Sequence, residues 1–221
     1  KWDGSNWAGC GYGFQGYQFY TVVYTICAKD NNVFAGGYFS MNGSTFMRNL
    51  GMWDGSQWIA VGTGFGKGMD SYINKFAYWN NKLWVGGNFE RAGDNKANYV
   101  ASWDGLNWSE PFNGTSSEVM DLMPLGNDLY VGGAFTYVGN QQLVGSIARW
   151  DGTQWHSLGN GFSSAVYAIE HIGDDIYISR SGAVINKWNG TQWTKIADLG
   201  GTGAGAKDLA GIGNPLYAGG T

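Results

Sequence analysis

The sequence predicts an all-β fold, a five-bladed β-propeller of four-stranded antiparallel blades, and three observations predict it. One hexapeptide recurs five times: WDGSNW from Trp2, WDGSQW from Trp53, WDGLNW from Trp103, WDGTQW from Trp150 and WNGTQW from Trp188. A second motif keeps step with it, as FAGGYF from Phe34, WVGGNF from Trp84, YVGGAF from Tyr130, a degenerate YISRSG from Tyr177 and YAGG from Tyr217. The ends are complementary: the chain finishes with AKDLAGIGNPLYAGGT, the first two strands of a unit, and starts with KWDGSNWAGCGYG, the last part of one.

Each unit reads as four short strands. In the third unit they are VMDLMPLG (119–126), DLYVGGAF (128–135), SIARW (146–150) and TQWHSLG (153–159), with Gly, Asn or Asp between them. In the first strand Ile26, Phe76, Leu122, Ile169 and Leu209 share one column, which reads as core. No segment sustains a 3.6-residue apolar period, so essentially no helix is expected. Four strands with a mean period of about 44 residues describe a propeller blade. The blades fall at about 18–66, 67–116, 117–162, 163–201, and 202–221 joined to 1–17, in a single domain spanning 1–221. The closing blade is thus shared between the N- and C-termini. Its third strand is short of residues, so that strand is truncated or residues flank both ends in a longer parent.

The repeated residues have a structural rationale. Large rings fill the wedge between neighbouring blades. The Asp and Gly of WDG make the turn, Gly by accepting positive φ and Asp by bonding local amides. The Gly-Gly pair permits a bulge or a close approach. A rival reading makes each turn a sugar site with a solvent-open Trp face.

Composition supports strands and tight turns, with 38 glycines, 3 prolines and 14% charged residues. A net charge of −4 gives no reason to expect nucleic acid as a partner. The longest apolar run, FYTVVYTICA, is half the length a membrane helix needs, so no membrane insertion is expected. The chain has no Met start, signal peptide or lipidation motif, which points to a processed end or a piece of something longer. Cys10 and Cys27 either pair, contributing about 3 kcal/mol, or stay as two thiols. Sequons at Asn42, Asn107, Asn113 and Asn189 matter only in a eukaryotic secretory pathway.

The combination LYVGGAF and IARWDGTQWHSLGNGF resembles the kelch-like repeats of secreted bacterial surface proteins, including those exported with a type IX sorting tail, and of fungal cortical cell-polarity markers. The resemblance covers nearly the whole chain, best in 119–162 and worst in 177–190. It implies an extracellular or cell-surface module, usually part of a larger protein, with no shared catalytic residues.

Chemistry is sparse. His156 and His171 lie in no zinc-like spacing, and the acidic loops GDNKAN (93–98) and GDD (173–175) match no dedicated calcium loop, so neither metal nor cofactor is expected. GTGFGKG (62–68) resembles a phosphate loop only superficially, since no helix follows. Asp121 and Asp208 share a first-strand column with Thr25, Lys75 and Ala168, with Glu170 two residues beyond Ala168, and that column is a candidate to face a central channel. Glycosidases need two carboxyl groups about 5–9.5 Å apart, and these acids are not obviously paired.

What varies between units is the connection after the Gly-Gly strand: SMNGSTFMRN, ERAGDNKANY and TYVGNQQLVGS. Loops on a rigid scaffold carry specificity. Arg91, Asp94, Asn95, Tyr137 and Asn140 mix charge, amide and aromatic groups suited to sugar or protein recognition. The expected function is a noncatalytic extracellular binding module for a glycan or extracellular protein, acting through rim loops. The alternative is a structural or assembly domain beside flanking domains of a larger secreted or surface protein. A glycoside hydrolase using Asp121 and Asp208 comes third.

Overall fold

A computed structural model describes residues 1–16, 20–62, 67–200 and 206–220. The blade boundaries at 17, 18, 66, 201 and 202, and most of GTGFGKG, lie outside the described residues. Within them the chain is all strand and turn: no helix forms, and none is long and apolar enough to cross a membrane. The chain divides into two compact units, Lys1–Glu110 and Pro111–Thr221.

Unit 1 opens with a short strand, β1 (Phe14–Gln15). Its first four-stranded sheet is formed by β2 (Val22–Lys29) and β3 (Asn32–Tyr38), then, after a miniature hairpin of β4 (Met41–Asn42) and β5 (Thr45–Phe46), by β6 (Leu50–Trp53) and β7 (Trp58–Ala60). The second sheet repeats the plan with β8 (Ile73–Trp79) and β9 (Lys82–Gly87), hairpin β10 (Arg91–Ala92) and β11 (Asn95–Lys96), then β12 (Val100–Trp103) and β13 (Trp108–Ser109). Both are antiparallel throughout.

Unit 2 continues the pattern. The third sheet holds β14 (Val119–Leu125) and β15 (Asp128–Gly133), hairpin β16 (Tyr137–Val138) and β17 (Gln142–Leu143), then β18 (Ile147–Trp150) and β19 (Trp155–Ser157). The fourth lacks a hairpin and runs β20 (Val166–Ile172), β21 (Asp175–Arg180), β22 (Val184–Trp188) and β23 (Trp193–Asp198). The unit ends in an antiparallel pair, β24 (Ala206–Gly211) and β25 (Leu216–Gly220).

The glycine pair has two distinct tasks. Every first strand carries a bulge, between Val23 and Thr25, Ile73 and Lys75, Val119 and Asp121, Val166 and Ala168, and Ala206 and Asp208. The second glycine of the pair lies against that bulge: a Cβ on Gly37 would stand 2.1 Å from Val22 O, and one on Gly133 2.1 Å from Glu118 O. The first glycine admits the next sheet. A Cβ on Gly36 would meet the Phe76 ring at 2.6 Å and Ile73 at 2.8 Å, and one on Gly132 would meet Val166 at 2.8 Å and Ile169 at 3.0 Å.

The degenerate fourth motif follows the same logic. Ser179 takes the glycine position, and the residue it faces is Ala206, where the other first strands have Val or Ile; the Ser179 hydroxyl donates to Ala206 O at 2.8 Å. A larger residue on one side is matched by a smaller one on the other.

The first-strand column is core at four of its five positions. Phe76, Leu122, Ile169 and Leu209 are all buried. Ile26 corrects the expectation, at 71% exposed, with Val23 at 40%. No Gly-Gly strand precedes them in unit 1, so the face that Gly36 covers on Ile73 and Phe76 is open on Val23 and Ile26.

The tryptophan motif is structural in the four complete sheets. Its rings pair within the motif at centroid distances of 5.8, 5.1, 5.1 and 5.2 Å. Trp58, Trp108, Trp150 and Trp155 are buried and Trp53, Trp103, Trp188 and Trp193 partly so, which removes the open ring faces that a sugar site at every turn requires. The turns form as the residues dictate. Asp54 Oδ1 accepts the amides of Ser56 and Gln57 at 2.8 and 2.9 Å, Asp104 and Asp151 do the same, and Asn189 repeats it with a neutral amide oxygen. The intervening glycines sit at φ of 93–103°.

The second tryptophan also ties neighbouring sheets. Trp193 Nε1 donates to Leu158 O at 2.9 Å, three residues after Trp155, and Trp58 Nε1 donates to Cys10 O at 2.8 Å, three residues after Trp7. These are the same bond at two places in the repeat. The N-terminal segment therefore meets the first sheet as the end of a preceding blade does, and Phe14 packs on both Phe39 and Trp58. Trp2 and Trp7 form an isolated bridge and are exposed. Cys10 and Cys27 are free thiols, and burial raises the pKa of Cys27.

Candidate functional site

Each variable connection is a two-stranded hairpin set at one end of its sheet, opposite the WDG turns. Two of the three share a frame, while the first is extended by β1, Gln15 pairing with Met41. Asp70 Oδ1 accepts the amides of Glu90 and Arg91, and Ser116 Oγ accepts those of Thr136 and Tyr137, all at 2.9–3.1 Å. One residue of the first hairpin strand is buried in each case: Asn42, Ala92 and Val138. Asn42 is held by its Nδ2 donating to Gly13 O at 2.8 Å.

The outward pairs on these frames differ. Met41 stands opposite Phe46, Arg91 opposite Lys96, and Tyr137 opposite Leu143. Phe46, Tyr137 and Leu143 are 50%, 39% and 65% exposed, and Arg91 and Lys96 are exposed. The structure thus groups Arg91, Asp94 and Asn95 on one hairpin of unit 1, where Arg91 Nη2 donates to Asp94 O and Asn95 Nδ2 reaches Trp108 O at 3.5 Å. Tyr137 and Asn140 share a hairpin of unit 2, and Asn140 Oδ1 accepts from Asn113 Nδ2 at 2.6 Å. Lys96, Phe46 and Leu143 were missed by sequence reasoning; their cross-strand register with Arg91, Met41 and Tyr137 is the signal that finds them.

The channel-carboxylate reading does not survive at Asp121. This side chain is 3% exposed, and its oxygens accept Ile169 N from the next sheet at 2.7 Å and Leu122 N at 2.8 Å. Thr25 does the equivalent for Phe76 N at 3.3 Å. Glu170 accepts His171 N and Gly211 N through its two oxygens. Thr25, Asp121 and Glu170 each fasten one first strand to the next. His156 lies against Asp151 at 2.6 Å, and His171 Nδ1 is 3.4 Å from Gly173 O. Among the described residues no three His, Cys, Asp or Glu side chains gather as a metal site.

Sequence reasoning also missed a cavity of about 460 Å³ in unit 1, between the outer parts of the first and second sheets. Phe34, Met52, Ile59, Leu83 and Trp103 form its apolar wall, and Asp30, Asn32, Asn81 and Asp104 its polar margin. The Lys29 amine lies 3.1 Å from Asp30 and 4.9 Å from the centre of the Tyr78 ring.

With this geometry, the chain was compared with known proteins. The fold is that of propeller-like repeat proteins. The extracellular domain of BT4673 from B. thetaiotaomicron, described as a one-component system, aligns with a TM-score of 0.62 at 12% identity, over 95% of this chain and 27% of that one. A second structure of a BT4673 extracellular domain, there described as a hybrid two-component system, aligns at 0.55 and 11%, over 90% and 31%. The computationally designed Ika8 protein aligns at 0.53 and 20%, over 89% and 55%, so the chain spans about half of that protein. No family model matches the chain, and no curated protein does.

Proposed function

We propose that this chain is a noncatalytic binding module, secreted or displayed at a cell surface, that recognises a glycan or an extracellular protein through its hairpins. The observation that carries the reading is the contrast within two hairpins: equivalent anchoring of the first strand's amides by Asp70 and by Ser116, against outward pairs that are basic in one and aromatic-aliphatic in the other. Packing explains the anchors and does not explain the pairs. The likeness to extracellular domains supports the location. The use of Asp121 as a backbone clip supports a role without catalysis.

The same proposal completes the kelch-like repeat to five blades in one domain. The N-terminal hairpin reproduces, through Cys10 O and Trp58, the outer edge of a blade, and unit 2 ends on a strand pair that lacks one. Joined, they make the shared closing blade.

The test is a screen on immobilised glycans and on extracellular proteins by cross-linking, followed by two double variants, Arg91→Glu with Lys96→Glu and Tyr137→Ala with Leu143→Ser. A bound class lost in either variant, with thermal stability unchanged, is expected. Binding that neither variant weakens overturns the hairpin reading. Silence in both screens favours the structural or assembly domain.

A further inference from the structure

We infer that the cavity between the first and second sheets of unit 1 is a site for a neutral pyranose carrying a methyl-bearing substituent, such as an N-acetyl group or a 6-deoxy carbon. The inference rests on the binding-module reading and names a second site within it. The hairpins lie at the opposite end of the strands, since Val33 pairs with Trp53 beside the WDG turn.

The cavity is not a gap that the repeat makes inevitable. Its wall is a row across the first sheet, Cys27, Phe34, Met52 and Ile59, fixed by register. The equivalent row in the third sheet is Met123, Tyr130, Arg149 and His156. There Arg149 pairs with Asp128 at 2.9 Å and His156 lies 2.6 Å from Asp151, so hydrogen-bonded polar side chains occupy the row. In the first sheet the same three places hold Asn32, Met52 and Ile59. The fold thus accepts a polar row or an apolar one at this place, and the apolar one lines the cavity.

The lining then selects the ligand. A volume of about 460 Å³ lies in the range of small-molecule sites, about 300–1,000 Å³. Among the described residues Asp30 takes up Lys29, and Asp104 keeps its negative charge beside Lys82 with the Leu106 and Asn107 amides on its Oδ1, so both cations already face a carboxylate and the margin disfavours a further anion such as a phosphate. Two acids and two amides at the margin, Asp30, Asp104, Asn32 and Asn81, match hydroxyl groups that both donate and accept. Tyr78, 37% exposed, and the partly buried Trp103 offer ring surface to a sugar face. Phe34, Met52 and Ile59 lie behind that polar margin, where a plain hexose has nothing to bury and a methyl group does.

The experiment titrates the full chain, by calorimetry and tryptophan fluorescence, with methyl glycosides of N-acetylglucosamine, fucose and glucose. Saturable binding of the first or second is expected, with the glucoside about tenfold weaker. The variant Asn32→Asp, Met52→Arg, Ile59→His installs the third-sheet row and should abolish binding; Tyr78→Ala, at an exposed position, should weaken it about tenfold even if the triple variant fails to fold. No response to any of the three glycosides overturns the inference, as does undiminished binding in both variants. Glycan binding in the screen that survives the row exchange overturns this site alone and leaves the hairpin reading standing.

Discussion

Adding one methyl group to the first glycine of the repeated pair should be costly wherever another sheet follows. In Gly36→Ala the new Cβ would lie 2.6 Å from the Phe76 ring and 2.8 Å from Ile73, and in Gly132→Ala 2.8 Å from Val166. Ile73 and Val166 are fully buried and Phe76 nearly so, leaving no room to yield. Overpacking of this kind costs about 1–3 kcal/mol. The substitution returns about 0.4–1 kcal/mol by restricting the unfolded chain, since neither glycine has positive φ. The difference spans about 0–2.6 kcal/mol, and contacts below 3.0 Å with buried side chains place both variants in its upper half, which for a chain of this size lowers Tm by about 3–10 °C. Gly219 occupies the same place in the last motif, and a Cβ there meets nothing within 4 Å. Taken alone, Gly219→Ala would stabilise. If the closing blade forms as proposed, Gly219 faces Val23 and Ile26 and the substitution lowers Tm like the other two. Thermal unfolding followed by circular dichroism on the three variants decides it: neutral Gly36→Ala and Gly132→Ala would refute the interlock, and a raised Tm for Gly219→Ala would refute the closure.

Two more expectations concern the tryptophan motif. Trp58→Phe and Trp193→Phe each delete a hydrogen bond to a preceding carbonyl, whereas the buried Trp108 indole nitrogen has no partner among the described residues, so Trp108→Phe should cost less in urea unfolding by about 1 kcal/mol. In the turns, the Gln57 amide lowers the pKa of Asp54, the Asn107 amide that of Asp104, and the His156 ring that of Asp151. A carboxyl with a folded pKa below its unfolded value of about 3.9 gives its full stabilisation above that pH and loses it as pH falls through the folded value. Stability measured against pH should therefore fall below about pH 4, and the triple variant Asp54→Asn, Asp104→Asn, Asp151→Asn should flatten that limb, since Asn189 already makes the same turn without charge. An unchanged limb would show that these turns do not set the acid response.

Strand order, turn chemistry and the burial of the tryptophans were legible because each rests on residues close in sequence and is restated in every unit. Ile26, expected in the core, is exposed for the opposite reason: its cover depends on a strand that precedes it in space, which the proposed closing blade would supply and the column pattern does not record. Asp121 stood as a channel candidate because an acid on a first strand looks the same in sequence whether it faces water or a backbone amide 48 residues away. The hairpin residues were half legible: charge and aromatic character pointed to Arg91 and Tyr137, but their partners Lys96 and Leu143 emerge only from register. The cavity had a readable trace, the exchange of Arg149 and His156 for Met52 and Ile59 at equivalent places, visible once rows are compared across strands.

Ser179 and Ala206 show what the repeat conserves. Where a glycine is lost, the facing Val or Ile is lost with it, so the quantity held constant at a sheet interface is volume and not residue identity. That gives a criterion for separating form from function in a chain of similar units. A change matched across an interface is explained by packing. The outward hairpin pairs differ in kind on similar frames, and the row of Met52 and Ile59 puts apolar side chains on a cavity wall where the third sheet has Arg149 and His156. Close-packed interiors do not leave such space without destabilisation, because an unfilled cavity forfeits contacts on every wall. An apolar row left open under a polar margin is therefore the arrangement a ligand would complete, and the measured stability gained on adding the right glycoside is the quantity that should replace the missing contacts.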